Sequence, residues 1–134
     1  MKTKIEIEGK EMESANKGIQ VGDLFYAIWG YDQTNYDYVI VESVSNTGKT
    51  CICRRAKYMD VGYESHCNKQ QPIKKGFGKS FKLKIQRSYD NTETQLRGSY
   101  IYCGGEEDEH KRLGTLYRVK EGQVFHETDS IFGH

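Results

Sequence analysis

Apolar and polar residues alternate with a period of two along several segments of the chain, and this alternation restricts the fold more than any other feature. Residues 81–87 show it most clearly, with Phe81, Leu83 and Ile85 separated by charged or polar side chains. Residues 4–8 repeat the pattern. Successive side chains of a β-strand point to opposite faces of the sheet, so these segments predict half-buried strands of an antiparallel sheet.

The other strand-like segments are rich in β-branched and aromatic residues and are joined by short turns. Gly48 supplies the positive φ of one tight turn, and Glu121-Gly122 forms a second. The pattern predicts about eight short strands: 4–8, 23–29, 36–44, 50–56, 81–87, 99–103, 115–120 and 123–127. We therefore expect a single all-β domain over residues 1–134, mostly antiparallel, built as a small bent barrel or sandwich. A barrel has the advantage that closure removes the sheet edges.

Helical signal is confined to residues 106–113, which predict at most one short helix. Acidic residues open this segment, basic residues close it, and Gly114 follows as a C-cap, an order that complements the helix dipole. A solvated loop is the alternative. Two segments predict irregular excursions, which often carry function: the basic segment 58–79, without clear period, and the polar segment 88–97.

Charge is distributed unevenly along the chain, although the net charge of the whole is only +1. Residues 49–89 carry eleven Lys or Arg against two acidic residues, whereas residues 1–48 and 90–134 each have a net charge of −4. No acidic residue occurs between positions 65 and 89. A basic middle favours a polyanionic ligand or an acidic partner, unless the fold interleaves the three segments and averages their fields.

Composition excludes a disordered segment and a membrane-spanning chain. Aromatic residues make up 12% of the chain, hydrophobic residues 36%, and the mean hydropathy is −0.80. No apolar run approaches the roughly 20 residues that span a bilayer. The N-terminal residues hold no apolar stretch of signal-peptide length, so we expect a cytoplasmic protein whose four cysteines are free thiols.

The nucleophilic and titratable residues show no catalytic or metal-binding spacing. Cys51 and Cys53 project from one face of a strand, but zinc ligands are more usually separated by two to four residues, so we expect no metal and no cofactor. The His-Cys pair at 66–67 and the His-Glu pair at 126–127 are adjacent in sequence, and neighbours in a strand point apart. The sequence therefore predicts a protein that is not an enzyme.

Six aromatic residues fall within 14 positions: Phe25, Tyr26, Trp29, Tyr31, Tyr36 and Tyr38. Strand alternation sends some of these rings into the core. The others, for which Tyr31 and Tyr36 are the candidates, would form an outward patch that stacks on bases or anchors a protein partner. Packing of all the rings in the core is the simpler alternative.

The basic candidates lie in and near residues 74–81, Lys-Lys-Gly-Phe-Gly-Lys-Ser-Phe. This segment is similar to the Lys-Gly-Phe-Gly core of an RNA-binding sheet motif, but Lys79 stands where that motif has an aromatic residue. We interpret it instead as an exposed basic loop with Phe77 at its tip, which contacts a nucleic-acid backbone or inserts into a partner. With two arginines of the preceding strand, the candidates are Arg54, Arg55, Lys74, Lys75, Phe77 and Lys79.

Residues 22–35 form a distinctive string, Gly-Asp-Leu-Phe-Tyr-Ala-Ile-Trp-Gly-Tyr-Asp-Gln-Thr-Asn. Together with residues 121–128 and the terminal Phe-Gly-His, this string resembles a family of small proteins of bacteriophages and mobile elements, over residues 20–56 and 115–134. The resemblance implies a setting, the cytoplasm of a bacterial host, rather than an activity. Small proteins of that setting often bind and block a host enzyme, including nucleic-acid-targeting defence systems.

We therefore expect a non-enzymatic accessory protein that binds and modulates a bacterial nucleic-acid-processing or defence complex, as an anti-CRISPR-like inhibitor does. Aromatic side chains would supply desolvated anchors, while lysines and arginines would set the association rate and the orientation. The alternative is direct binding of single-stranded nucleic acid, or of a nucleotide, through the same Tyr/Lys-rich surface. Neither function involves a membrane.

Overall fold

The computed structural model describes residues 18–30, 34–65, 67–102 and 111–128. Within these ranges the chain forms seven β-strands and no helix, which confirms the all-β expectation. The strands are β1 (Leu24–Trp29), β2 (Asn35–Val44), β3 (Thr50–Glu64), β4 (Cys67–Arg87), β5 (Thr94–Ile101), β6 (Lys111–Arg118) and β7 (Phe125–Thr128). In these same residues, no helix is long and apolar enough to span a membrane.

All the described strand pairings are antiparallel, and they join the strands into a single ring-like sheet. Consecutive strands pair from β1 to β6, and β6 returns to pair with β1. The seventh strand, β7, pairs with the N-terminal end of β4. The expected small, bent antiparallel architecture is therefore confirmed, with one ring-like sheet in place of two packed sheets. The ring is not a regular barrel, since β3 and β4 extend well beyond it.

The ring encloses the main hydrophobic core. Phe81 and Leu83 of β4 are buried and Ile85 is half-buried, as the alternation of their segment predicted. The other strands of the ring add buried residues: Phe25, Ala27, Val39, Val41, Cys51, Cys53, Leu96, Tyr100, Ile101 and Leu116. Burying a Leu, Val or Phe side chain contributes roughly 1.5–3 kcal/mol, so this interior is the main source of stability for the ring.

A polar cluster occupies part of the ring interior. Asp37 is buried, and Nη1 of Arg112 lies 3.9 Å from its Oδ2. The same guanidinium stacks on Trp29 and Tyr102, with Cζ 4.1 Å and 4.7 Å from the ring centroids. Burial, and secondarily the charge of Asp37, raises the pKa of Tyr100 to about 12. The arginine compensates a carboxylate that would otherwise carry a desolvation cost of several kcal/mol.

Beyond the ring, β3 and β4 continue as a long two-stranded hairpin, called the arm below and made of residues 56–64 and 67–79. The expectation of an irregular excursion over residues 58–79 is therefore wrong. Three register shifts interrupt the pairing of β3 with β4, and such bulges disturb the period of two that identifies strands in a sequence. Pro72 is compatible with a strand at this position because it lies at a sheet edge. It pairs with Tyr58 of β3 on one side, and among the described strands β4 has no neighbour on the other side there.

The arm folds back over the outer face of β2. Tyr58 of the arm lies edge-on against Tyr38 of β2, with ring centroids 5.7 Å apart. A second hydrophobic cluster forms beneath it, with Tyr38, Ala56 and Phe125 fully or almost fully buried. Since Phe125 belongs to β7, this cluster also explains why the last described strand lies beside the arm.

Two smaller expectations differ from the structure. Residues 94–97, assigned to a polar excursion, begin β5, because Thr94 and Leu96 face the interior of the ring. Residues 111–113, expected to close a short helix, begin β6, where pairing with β5 outweighs the weak tendency of a two-turn helix to form. The rest of that expected helix and the expected strand 4–8 lie outside the described residues.

The buried phenol of Tyr100 makes stability dependent on pH in the alkaline range. Its folded-state pKa of about 12 exceeds the ordinary value of 10.0, so between these values the unfolded chain releases a proton that the folded chain retains. The stabilising contribution is complete below pH 10 and is lost as the pH rises toward 12. In thermal unfolding between about pH 9 and pH 11, wild type should lose stability more steeply than Tyr100→Phe.

Tyr89→Phe is the matched control, because Tyr89 is fully exposed. Its melting temperatures should follow those of wild type across the same range. Parallel curves for wild type and Tyr100→Phe would mean that the Tyr100 phenol is not shielded from water in the folded protein.

Candidate functional site

A buried hydrogen-bond network holds the arm against the rest of the protein. The Tyr38 hydroxyl donates to Oε1 of Gln70 at 2.7 Å, and Nε2 of Gln70 donates to Oε1 of Glu127 at 3.0 Å. The other carboxylate oxygen of Glu127 accepts the backbone N–H of Tyr36 at 3.1 Å. Tyr38 and Gln70 are 0% and 2% exposed, so removing either partner would leave a buried polar group unsatisfied. The network therefore positions β2, β4 and β7 together.

The aromatic residues around Tyr36 pack together instead of forming an outward patch. Tyr26, Tyr36 and Phe125 make edge-to-face contacts, with ring centroids between 4.7 and 6.1 Å apart. Tyr36 is half-buried, and burial raises the pKa of its phenol. Tyr36 therefore packs within this aromatic group instead of projecting freely, and its role in binding a partner stays a prediction. The other candidate tyrosine, Tyr31, lies outside the described residues.

The two arginine candidates occupy different environments. Arg54 is half-exposed, and its Nε lies 3.5 Å from Oε2 of Glu42. Arg55 is only 5% exposed, and its guanidinium lies over the ring of Phe77, 4.7 Å from the centroid. Arg55 thus holds Phe77 in position and is not itself accessible to a partner, which corrects the role expected from the sequence.

Gly78 makes the stacking of Arg55 on Phe77 possible. Its φ of +76° lies in the left-handed region, and a Cβ at this position would collide with the Arg55 guanidinium. Only glycine meets both conditions. The Lys-Gly-Phe-Gly segment is therefore part of a bulged strand that carries Phe77 across a buried arginine. The expectation of a loop with Phe77 at an exposed tip is wrong, since Phe77 is half-buried within β4.

Exposed lysines follow one another along β3 and β4. The set includes the candidates Lys74, Lys75 and Lys79, and in full it is Lys57, Lys74, Lys75, Lys79, Lys82 and Lys84. None of the six forms an ion pair with another residue of the described ranges. Lys84 also lies directly opposite Arg97 of β5, a position in which like charges repel. An anion bound at this surface would relieve that repulsion.

Four large apolar residues of the arm are exposed, and sequence reasoning missed them. Tyr58, Met59, Val61 and Tyr63 are between 40% and 54% exposed and lie close together along β3. These residues come from one short strand segment, and a concentration of exposed apolar groups is typical of interaction surfaces. Among the described strands, β3 has no neighbour on its outer edge here, because β2 pairs with it only as far as Arg55. The aromatic and β-branched residues of this stretch favour a strand. The register shifts break the alternation of apolar and polar residues, so the strand was not recognised from the sequence.

A groove of about 720 Å³ runs beside the arm. Met59 and Lys74 line it on the side of the arm, and Leu24 and Val119 line it on the side of the ring. The groove therefore continues the exposed surface of the arm toward the turn that precedes β7. Nucleotide binding, the small-molecule alternative from the sequence, stays a prediction.

Two of the cysteines lie in the ring, away from this surface. Cys51 and Cys53 are buried in the ring with their Sγ atoms 3.6 Å apart, on the shared strand face that their spacing predicted. Both are free thiols. In the described ranges, no three His, Cys, Asp or Glu side chains are grouped so that they could hold a metal ion.

Comparison of the chain with protein-family models, with curated proteins and with solved structures gave no match. The resemblance of residues 22–35 to phage and mobile-element proteins therefore stays a prediction. Function has to be inferred from the geometry of the arm.

Gly78→Ala should destabilise the fold more than Gly48→Ala. The two glycines have similar φ values of +76° and +71°, so an added side chain strains each backbone by roughly 1–2 kcal/mol. At Gly48 nothing lies within 4 Å of the added Cβ, whereas at Gly78 it meets the Arg55 guanidinium. We expect a loss of about 2–4 kcal/mol for Gly78→Ala, from strain and overpacking together. Urea unfolding of both variants measures the difference, and equal losses would show that Arg55 moves aside without cost.

Proposed function

We propose that this protein is a non-enzymatic binding protein that docks its arm onto a bacterial nucleic-acid-processing or defence complex and modulates it. One observation supports the proposal above the others. A single two-stranded element presents exposed lysines, which have no ion-pair partner in the described ranges, beside a group of exposed large apolar side chains. The lysines attract a polyanion, and the apolar side chains supply the contacts that are buried in a specific complex.

The apolar residues of the arm take the role that the sequence assigned to outward tyrosines. Tyr58 and Tyr63 offer large rings, and Met59 and Val61 lie between them along β3. Burying side chains of this size contributes roughly 1.5–3 kcal/mol each, and tyrosine is enriched among the residues that dominate interface energies.

The lysines act over a longer distance than the apolar contacts. Within the arm, Glu64 is neutralised by Lys69 at 2.8 Å, and Asp60 is the one other acidic residue of these two strand segments. The field of the remaining lysines is therefore not cancelled by acids of the same hairpin. A surface of this kind can raise the association rate with an oppositely charged partner by about 10- to 1,000-fold.

The sequence resemblance implies the cytoplasm of a bacterial host as the setting in which the arm would bind its partner. A small phage or mobile-element protein in the cytoplasm of a bacterial host would act as an inhibitor if its arm occupied the surface where a host complex receives nucleic acid. The lysines would then lie toward the phosphates or toward acidic residues, and the apolar residues toward the protein.

Direct binding of nucleic acid is a second candidate, favoured by one specific observation. β4 alone carries five of the exposed lysines, and the chain has no acidic residue between positions 65 and 89. Lysine–phosphate contacts of this kind bind without sequence preference and weaken steeply as the salt concentration rises.

The docking surface is tested by affinity capture from a bacterial lysate with immobilised wild type and Tyr63→Asp. Wild type should retain a stoichiometric partner complex, and Tyr63→Asp should retain at least about tenfold less, because a charge is placed where an apolar anchor is desolvated. Leu113→Asp is the matched control, since Leu113 is 66% exposed on β6, on the far side of the ring from β3. Equal recovery by wild type and Tyr63→Asp would contradict docking through the arm.

Direct nucleic-acid binding is tested by the salt dependence of oligonucleotide affinity. If Lys74 and Lys75 contact phosphates, the double variant Lys74→Gln/Lys75→Gln should lower the slope of log K against log salt by about 0.7–0.9 for each phosphate that is no longer neutralised. Lys111→Gln, an exposed lysine on β6, should leave the slope unchanged. Absence of any binding at low salt would rule out this second function while leaving protein docking to be decided by the capture experiment.

A further inference from the structure

A small slot opens beside Phe77, and we propose that it receives one unstacked base of a single-stranded nucleic acid. The proposal rests on the second candidate function, direct binding of nucleic acid, because it names the class of ligand that the basic surface of the arm contacts directly. It also assigns to Phe77 and Tyr58 a role that the lysines cannot perform, which is to distinguish a single strand from a duplex.

The lining of the slot suits a planar apolar ring. Ala56, Lys57, Tyr58 and Phe77 surround a space of about 230 Å³. This volume is below the roughly 300–1,000 Å³ of sites that bury drug-sized ligands, so one ring system fits better than a larger molecule. Base stacking on an aromatic side chain is favourable for every base, since every base has a π face.

Both aromatic rings of the slot are held in place from behind. Arg55 lies 4.7 Å from the centroid of the Phe77 ring, and Gly78 leaves the space that the arginine needs. The Tyr58 ring is held by its edge contact with the buried Tyr38, at 5.7 Å. Rings that are already fixed lose little conformational freedom when a base enters between or beside them, which favours binding.

The lysines around the slot favour a nucleic-acid base over an aromatic side chain of a protein. Lys57 lines the slot itself, and Lys75 and Lys79 are each two residues from Phe77 on β4, a distance of about 6.6 Å along an extended strand. A base carries its own phosphates to these lysines, whereas an aromatic side chain of a protein does not. A base inside a duplex is stacked and paired, so it enters only after it has been extruded at a cost of a few kcal/mol. Single-stranded nucleic acid therefore matches both features of the site.

The proposal is tested by fluorescence anisotropy with the full-length protein and three labelled probes: an oligothymidylate, an abasic oligonucleotide of the same length and a blunt duplex of the same length. Wild type should bind the oligothymidylate more tightly than either other probe. Phe77→Leu should weaken oligothymidylate binding by about 5- to 150-fold, the range expected for one stacked base. It should leave abasic binding and the salt slope unchanged, because the lysines remain.

Phe77→Tyr and Tyr89→Leu are the control variants. Phe77→Tyr retains the π face and should retain the affinity, so that a loss of oligothymidylate binding by the folded variant would count against stacking on this ring. Tyr89→Leu removes a fully exposed ring outside the slot and should have no effect. Thermal unfolding of each variant verifies that it is folded.

The outcomes separate this proposal from the proposed function. Equal binding of the oligothymidylate and the abasic probe, or an unchanged affinity of folded Phe77→Leu, would overturn the slot while leaving a basic surface that binds phosphates. Binding of none of the three probes at low salt would also overturn the slot, and docking onto a protein complex would then depend on the capture experiment alone.

Discussion

The hydrogen-bond network of Tyr38, Gln70 and Glu127 is the constraint on which the functional surface depends. Two strands that extend beyond a ring are marginal by themselves, because an isolated hairpin is barely stable in water. Here the hairpin is held by a side-chain amide that is 2% exposed and bonded at both ends. The low local dielectric makes each of these bonds costly to break. The network thereby holds the arm over β2, and the arm presents the apolar residues and four of the six lysines proposed to bind.

The arm can expose apolar and basic residues together because the ring does not need them for its own core. The interior of the ring is built from residues such as Phe25, Leu83 and Leu96, all of them within the ring strands. The exposed edge of β3 would favour association of copies with each other, but register shifts and lysines along the arm oppose regular edge-to-edge pairing.

Much of the ring could be predicted from the sequence, and most of the arm could not. Residues 81–87 were correctly predicted to form a strand. One face of this strand is buried and the other is exposed to solvent, so apolar and polar residues alternate along the sequence. Residues 58–63 were not predicted to form a strand, because the register shifts beside Tyr58 and Gly62 break that alternation and because their apolar side chains are exposed. The exposure of Lys74, Lys75 and Lys79 was predicted correctly, since it follows from the cost of burying a charge.

The sequence by itself determined the class of fold, the burial of alternate residues in the ring and the concentration of basic charge in one segment, because each depends on neighbours that are close along the chain. Only the tertiary structure decided that Arg55 is buried beneath Phe77, that Tyr36 packs against Phe125, and that the basic segment is one hairpin. These outcomes depend on contacts between residues far apart in sequence, such as Tyr38 with Gln70 and Tyr36 with Phe125. A local pattern shows which side of a strand is apolar, but not which distant element will cover it.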